Sequence, residues 1–586
     1  GKRNAMMLQR NVCIFVCGLL VLPMSSSFVP SCAMPRFGKA ATERAFFRCS
    51  RVSTSLPLRM TAAKDASTTE ESSSSEMARM NDDTAVCFDG GCDPYQSPLI
   101  DEIERELILL SEKEKSLRRE GALMMMQKLQ EQDMLETSPV PAQDGKFSES
   151  AGTADSVIST RLEGNNGPTV WGEFGGLAAK TGGVNLGQGF PNWNPPQFVL
   201  DAAVDAITKG SHQYTRSAGH PALVKLLAAR YSMHLQREIN AEQEISITVG
   251  ASQALFMALQ ALLSPGDEAI LIEPFFDLYL GQIRLAGGSP VTVPLEPKES
   301  GAWELDIDRL RAAITPKTRV LILNSPHNPT GKVFSRTELE AIAEVVRENP
   351  RVVVISDEVY KYILHSTPPS ASDQPSSPLA SPGHVHFASL DGMWDRTLTV
   401  SSAGKTFSVT GWQVGWIVGP AAFLRDVHTL TPYVQFCAAT PMQEALARVL
   451  TRAEQPYEGK DSYYEWLQEL YSAKMLSLRS ALESAGIIPM KGEGGFFLIG
   501  DTRNLKVPQK YLEESTPAMP RMTRDWACCR WLAIEHGIIA IPCSPFFSEQ
   551  NRGMAKHYVR FAFCKTDDTL EEAARAFAAV AESAES

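Results

Sequence analysis

Lys405 closes the run Thr399-Val-Ser-Ser-Ala-Gly-Lys405, just past a β-branched stretch and among small hydroxyl residues. In such a glycine-punctuated loop its amine can meet an aldehyde and form a Schiff base, although a lysine among small residues is also an ordinary solvated one. Asp357 ends Arg351-Val-Val-Val-Ile-Ser-Asp357. That apolar run carries a carboxylate into a poorly solvated region, where it needs a cationic partner. With Tyr360 three residues on, the pair also reads as a helix cap beside a surface tyrosine. Thr248-Val-Gly-Ala-Ser-Gln253 passes through Gly250 into a helix. The free backbone NH groups of Ala251, Ser252 and Gln253 then aim at an anion, a role compatible with Ser252 capping its own helix. Arg560, in His557-Tyr-Val-Arg560-Phe-Ala-Phe-Cys564, interrupts an apolar strand. A buried guanidinium calls for a carboxylate, supplied by a ligand or by an acidic neighbour.

Elements that bring these groups together are visible as short β-branched runs at residues 245–249, 269–272, 320–323, 352–355 and 398–400, separated by long helical patterns. This is the pattern of a parallel sheet with crossover helices, whose ligands bind at the carboxyl ends of the strands. Residues 366–383, crowded with Ser, Pro and Ala, read as a surface insertion. Beyond residue 455, helices alternate with strands near 495–500 and 558–563, as in a smaller α+β domain.

The lysine run with Ser408-Val-Thr-Gly-Trp-Gln-Val-Gly-Trp416 closely resembles the cofactor-lysine region of class I aminotransferases that use pyridoxal 5'-phosphate (PLP). Asn324-Ser-Pro-His-Asn-Pro-Thr-Gly331 resembles the Asn-x-Pro-x-Asn-Pro-x-Gly loop of that family. Trp171-Gly-Glu-Phe174, Asn185-Leu-Gly-Gln-Gly-Phe-Pro191, Gln213-Tyr-Thr215, Gly404-Lys-Thr-Phe407 and Ile541-Pro-Cys-Ser-Pro-Phe-Phe547 narrow it to the kynurenine, glutamine and methionine aminotransferase group. The resemblance runs from Pro168 to the C-terminus. It implies fold type I, with a mostly parallel seven-stranded sheet in a large domain and a smaller α+β domain. It also implies that PLP forms an aldimine with Lys405, which then serves as general base.

In this reading Asp357 pairs with the protonated ring nitrogen, Tyr360 and Asn328 reach the phenolate oxygen, and Phe276 stacks on the ring. Ala251, Ser252, Gln253 and Ser402 serve the phosphate. Gln413 stands where most members carry Arg or Lys for that phosphate. Arg560 and Asn328 take the substrate carboxylate, the loop through Gly189 closes over it, and Trp171, Tyr214 and Phe436 line the side-chain pocket. Tyr214 and Phe436 come from the neighbouring subunit, so a homodimer is implied. An aromatic pocket with no second arginine favours apolar, sulfur-containing, aromatic or amide amino donors. Cys437, where related sequences carry histidine, leaves the substrate open. The same residues would also serve a cysteine-conjugate β-lyase or an enzyme like aminocyclopropane-carboxylate synthase.

With a formal net charge of -12 over 586 residues, the chain lacks the basic surface a nucleic acid would need. Its partners are expected to be a small amino acid and a 2-oxo acid. The N-terminal part reads as a two-part targeting sequence over residues 1–64. Basic residues precede an apolar run at 12–24, and residues 28–64 then hold seven Lys or Arg against the single acid Glu43. That arrangement resembles the presequence of algae with secondary plastids, so a plastid is expected, with the secretory pathway or a mitochondrion as alternatives. The rest divides into a low-complexity linker at 65–167 holding a charged helix (98–136), an N-terminal arm and small-domain part at 168–211, a large domain at 212–454 and a C-terminal small domain at 455–586. Cys87 and Cys92 read as incidental thiols or a regulatory disulfide, and no metal site is indicated.

Overall fold

The computed structural model describes residues 168–365 and 383–585. The expected presequence, linker and charged helix, the Cys87/Cys92 pair, and all but the last residue of the 366–383 insertion lie outside them.

A helix (Val170–Thr181) opens the described chain and leads into the short strand β1 (Val184–Asn185). The central sheet follows, built from β2 (Ile245–Val249), β3 (Glu268–Glu273), β4 (Ser289–Pro297), β5 (Trp303–Leu305), β6 (Thr318–Asn324), β7 (Val353–Asp357), β8 (Thr397–Ser402) and β9 (Val414–Val418). Their order is β2-β9-β8-β7-β6-β3-β4-β5. The four pairings from β8 to β4 are parallel, while β9 runs antiparallel to both its neighbours and β5 antiparallel to β4. The seven strands from β2 to β4 form the expected mostly parallel sheet, and β5 adds a short eighth at its edge. Three-residue β5 at the edge is too short to show an alternation of its own.

Side chains of successive strand residues point to opposite faces, and here both faces are buried. In β3, Ala269 and Leu271 enter one apolar core while Ile270 and Ile272 enter the other. In β6, Val320 and Ile322 go one way and Leu321 and Leu323 the other. This is why these strands read as continuous apolar runs.

A second sheet contains β10 (Ile488–Pro489), β11 (Phe497–Asp501), β13 (Ile541–Pro542) and β14 (Tyr558–Ala562), in the order β10-β11-β14-β13. Between them, β12 (Ile538–Ile539) pairs in parallel with β1. The arm after residue 168 is thus stitched to the C-terminal part, which brings the Gly189 loop beside Arg560 of β14. Among the described residues no helix is long and apolar enough to cross a membrane.

Candidate active site

The parallel strands β6, β7 and β8 end side by side at Asn324, Asp357 and Ser402, and the register sets Asn324 opposite Asp357 and Asp357 opposite Val400. They open on a cavity of about 700 Å³. Every site residue expected from the sequence lines this cavity except Gln253, Tyr214 and Phe436.

Asp357 is buried and begins no helix, which removes the capping alternative. Its Oδ2 accepts the Tyr279 hydroxyl at 2.6 Å and its Oδ1 the Val359 NH at 3.3 Å. Burial pushes the carboxyl up to about 6, with the Tyr279 hydrogen bond pulling it back. A carboxyl raised in the fold stabilises the protein fully below its exposed value of 3.8 and loses that contribution as pH rises through about 6. The loss amounts to about 3 kcal/mol on the usual 1.36 kcal/mol per tenfold change in proton affinity. Cofactor-free Asp357→Asn is therefore expected to gain stability over the wild type between pH 4 and pH 7, by an amount of that order. Urea unfolding at the two pH values measures it, and a pH-independent difference would contradict it.

Lys405 sits in the short helix Ala403–Thr406 directly after β8. Its Nζ donates to the Gly189 carbonyl at 3.2 Å and lies 5.5 Å from the centre of the Phe496 ring. Burial pushes its pKa down, which leaves more of the amine neutral and nucleophilic. The solvated-lysine alternative does not survive this geometry. Tyr360 packs edge-on against Phe496 at 5.0 Å. Its buried hydroxyl keeps its proton and bonds to no other described residue, leaving a donor on the cavity wall.

At the anion end, the helix Gly250–Leu262 points its first NH groups at Ala251 and Ser252 into the cavity, beside Ser402, Thr410 and Gln413. A β-carbon on Gly415 of β9 would lie 2.4 Å from the Gly250 carbonyl carbon, so only glycine lets the strand approach this helix end. Gln253 lies outside the cavity lining. Its Oε1 accepts the Val249 NH at 2.6 Å, capping the chain that enters the helix instead of facing the cavity. Gln413 is held by an Nε2 bond to the Thr410 carbonyl at 2.6 Å, and its backbone is left-handed at φ 51°.

Arg560 is buried at 1% exposure, with no acidic group within ion-pair distance among the described residues. Its Nη1 donates to Asn328 Oδ1 at 3.0 Å and its Nη2 to the Gly187 carbonyl at 2.9 Å, while Nε has no partner. The guanidinium lies 4.1 Å from the Phe497 ring centre and 5.2 Å from that of Trp171. Burial lowers it to about 10, so it stays cationic at neutral pH. The structural salt bridge is absent. A buried cation on a cavity wall with a free donor has the chemistry to receive a carboxylate.

Tyr214 and Phe436 pack on each other at 4.7 Å and are 81% and 52% exposed, outside the cavity of their own chain. Three site residues escaped the sequence reading. Tyr279 is the neutral partner of Asp357. Asn324, the first asparagine of the Asn324–Gly331 loop, donates to the Asp357 carbonyl at 2.9 Å and accepts the Asn328 NH at 2.7 Å. Asp277 accepts the Trp171 indole NH at 2.6 Å. The asparagine motif was a usable signal for Asn324. Nothing local marked the other two.

Glu358, His384 and His386 cluster behind Asp357 and are metal-ligating types. Glu358 Oε2, however, is 2.6 Å from His386 Nδ1, whereas two ligands of one tetrahedral zinc would stand about 3.4 Å apart. Its Oε1 also accepts the Ser356 hydroxyl at 3.0 Å. Glu358 is thus hydrogen-bonded to Ser356 and His386, with His384 Nε2 3.3 Å from Glu358 Oε2. Burial alone would raise the Glu358 carboxyl, but the two histidines outweigh it and hold it well below the usual carboxylate range.

The aminotransferase class I and II family profile matches residues 181–577. A kynurenine--oxoglutarate transaminase of Dictyostelium discoideum is 43% identical over 422 residues, covering 70% of this chain and 93% of that protein. Kynurenine--oxoglutarate transaminase 3 of Homo sapiens is 37% identical over 425 residues, covering 70% and 88%. Among solved structures, YbdL of Escherichia coli, assigned a methionine aminotransferase function, superposes with a TM-score of 0.63 at 29% identity and covers 72% of this chain and 99% of its own.

Proposed function

Because the chain belongs to the class I and II aminotransferases, which are PLP-dependent enzymes moving amino groups between amino and 2-oxo acids, we propose that its donors are apolar, sulfur-containing, aromatic or amide amino acids. The observation that carries this reading is the charge of the cavity wall. Lys405 and Arg560 are the only cations on it, and Trp171, Phe276 and Phe497 surround them. One cation is committed to the α-carboxylate and the other to the reaction, so a side-chain carboxylate meets no positive partner on the wall this chain supplies and would face Asp277.

The cavity fits PLP. The NH groups of Ala251 and Ser252 and the hydroxyls of Ser252, Ser402 and Thr410 would hold its phosphate, Asp357 its ring nitrogen, Phe276 its ring face and Lys405 its aldehyde carbon. When bound, the cofactor supplies a cationic ring that accepts the electron pair released at the substrate Cα. The Asp357 carboxylate keeps the proton on that ring nitrogen. Arg560 and Asn328 would orient the substrate carboxylate, and the Lys405 amine would take the Cα proton and hold it for return. The Tyr360 hydroxyl donates toward the ring oxygen. Tyr214 and Phe436, exposed here, are assigned to completing the cavity of a second copy in a homodimer.

Single-turnover consumption of PLP absorbance against a panel of amino acids tests the donor class. Kynurenine, methionine, glutamine and phenylalanine are expected to react at least tenfold faster than aspartate and glutamate, and the opposite ranking rejects the reading. Pyruvate and ammonia formed without an acceptor would indicate β-elimination instead.

Gln413 bears on cofactor retention. A charged hydrogen bond contributes about 1.5–3 kcal/mol. Gln413→Lys is therefore expected to lower the PLP dissociation constant about tenfold or more in equilibrium dialysis. An unchanged or higher constant would show that the helix end and hydroxyls already suffice.

A further inference from the structure

The loop at residues 185–191 is fixed at both ends by ordinary hydrogen bonds. Leu186 NH donates to the Ile539 carbonyl at 2.9 Å, the Ala562 NH to the Leu186 carbonyl at 2.6 Å, and Asn192 Oδ1 accepts the Thr566 NH at 2.8 Å. Between these points, four successive carbonyls are held by three cations. Arg560 Nη2 takes Gly187 at 2.9 Å, Lys565 Nζ takes Gln188 at 3.0 Å and Phe190 at 3.2 Å, and Lys405 Nζ takes Gly189 at 3.2 Å.

Two of those cations belong to the cavity and have other work. On the functional reading above, Lys405 turns to the cofactor and Arg560 to the substrate carboxylate, so both carbonyls compete with ligand. Lys565 does not line the cavity. It is 3% exposed, pairs with no carboxylate among the described residues, and lies 5.3 Å from the Phe190 ring centre. Burying a cation without a counter-ion is costly unless its donors are met, and the two loop carbonyls are what meet them. The loop must also be held closely. A β-carbon on Gly189 would lie 2.3 Å from Phe497 Cζ, the ring on which Arg560 rests.

We propose that Lys565 is a positioning residue, the ligand-independent anchor that keeps the Gly189 loop over the site once Lys405 and Arg560 are engaged by cofactor and substrate. It acts on substrate retention through the loop and touches no reacting atom.

The test compares wild type, Lys565→Met and Lys565→Arg as PLP-loaded full chains. Hydrogen exchange at amides 187–190 is expected to quicken at least tenfold in Lys565→Met, with residues 538–539 unchanged. The KM for the best amino donor should rise at least tenfold while kcat stays within threefold. Lys565→Arg, which keeps a cation and its donors, should restore both within about threefold. Exchange and KM within twofold of wild type in Lys565→Met overturn the proposal, as does faster exchange spread through the β10–β14 sheet that arginine fails to correct. If Lys565→Met does not fold, Lys565→Gln is compared with Lys565→Arg by the same criteria. Should the wild type transfer amino groups from none of the panel, the donor reading fails, and exchange at 187–190 still decides the anchor.

Discussion

Replacing Lys405 with alanine is expected to slow the single-turnover reaction with any amino donor by about 10⁴-fold or more. A positioned general base contributes about 10²–10⁴-fold by itself, and this amine also carries the covalent attachment of the cofactor. The geometry explains why no neighbour can replace it. The nearby cation Arg560 cannot act as a base, the Tyr360 hydroxyl is held far above neutrality by burial, and the Cys564 thiol is pushed up to about 11 by burial. The same variant should still bind PLP through the Ala251 and Ser252 NH groups and Asp357, but release it on gel filtration. Rapid-mixing absorbance gives the rate and desalting gives the retention. A rate within tenfold of wild type would mean that the proton is moved by another group.

Arg560→Met separates binding from stability. A buried, hydrogen-bonded charge pair with a ligand contributes about 2–5 kcal/mol, so kcat/KM for every amino donor is expected to fall by about 10²–10³-fold. Removing an arginine from a buried salt bridge would also cost about 3–5 kcal/mol of stability, because a carboxylate would be stranded. Arg560 strands none. Its loss leaves two neutral acceptors, Asn328 Oδ1 and the Gly187 carbonyl, and relieves the burial of a lone cation. The stability of the unliganded protein is therefore expected to change by no more than about 1 kcal/mol. Steady-state kinetics and denaturant unfolding of one preparation test both halves. Collapse of stability together with activity would show that the guanidinium holds the fold and not the substrate.

The strands were legible because β3, β6 and β7 are buried on both faces, so their apolar runs are continuous and their ends are marked by a change to polar residues. Asn324 and Asp357 end β6 and β7, Lys405 stands just past the end of β8, and Arg560 announced itself as a charge on an apolar strand. The three residues of β5 were not legible, since an edge strand of that length has neither pattern nor turn of its own. The side-chain role of Gln253 was not legible, because whether a helix-start glutamine caps the preceding NH depends on where Val249 is placed.

What the sequence determined alone is which chemical groups exist and at which strand ends they emerge, because apolar periodicity, glycine turns and helix starts are local properties. Tertiary structure decided which group answers which. Tyr279 meets Asp357 across 78 positions, Lys565 meets Gln188 across 377, and Glu358 meets His386 across the 366–382 stretch. These pairings follow from strand order and from the stitching of β1 to β12. Burial by distant segments is also what pushes Asp357 up and pushes Lys405 and Arg560 down. A hydrogen bond between distant residues leaves no local pattern in the chain, and desolvation depends on everything packed around a group.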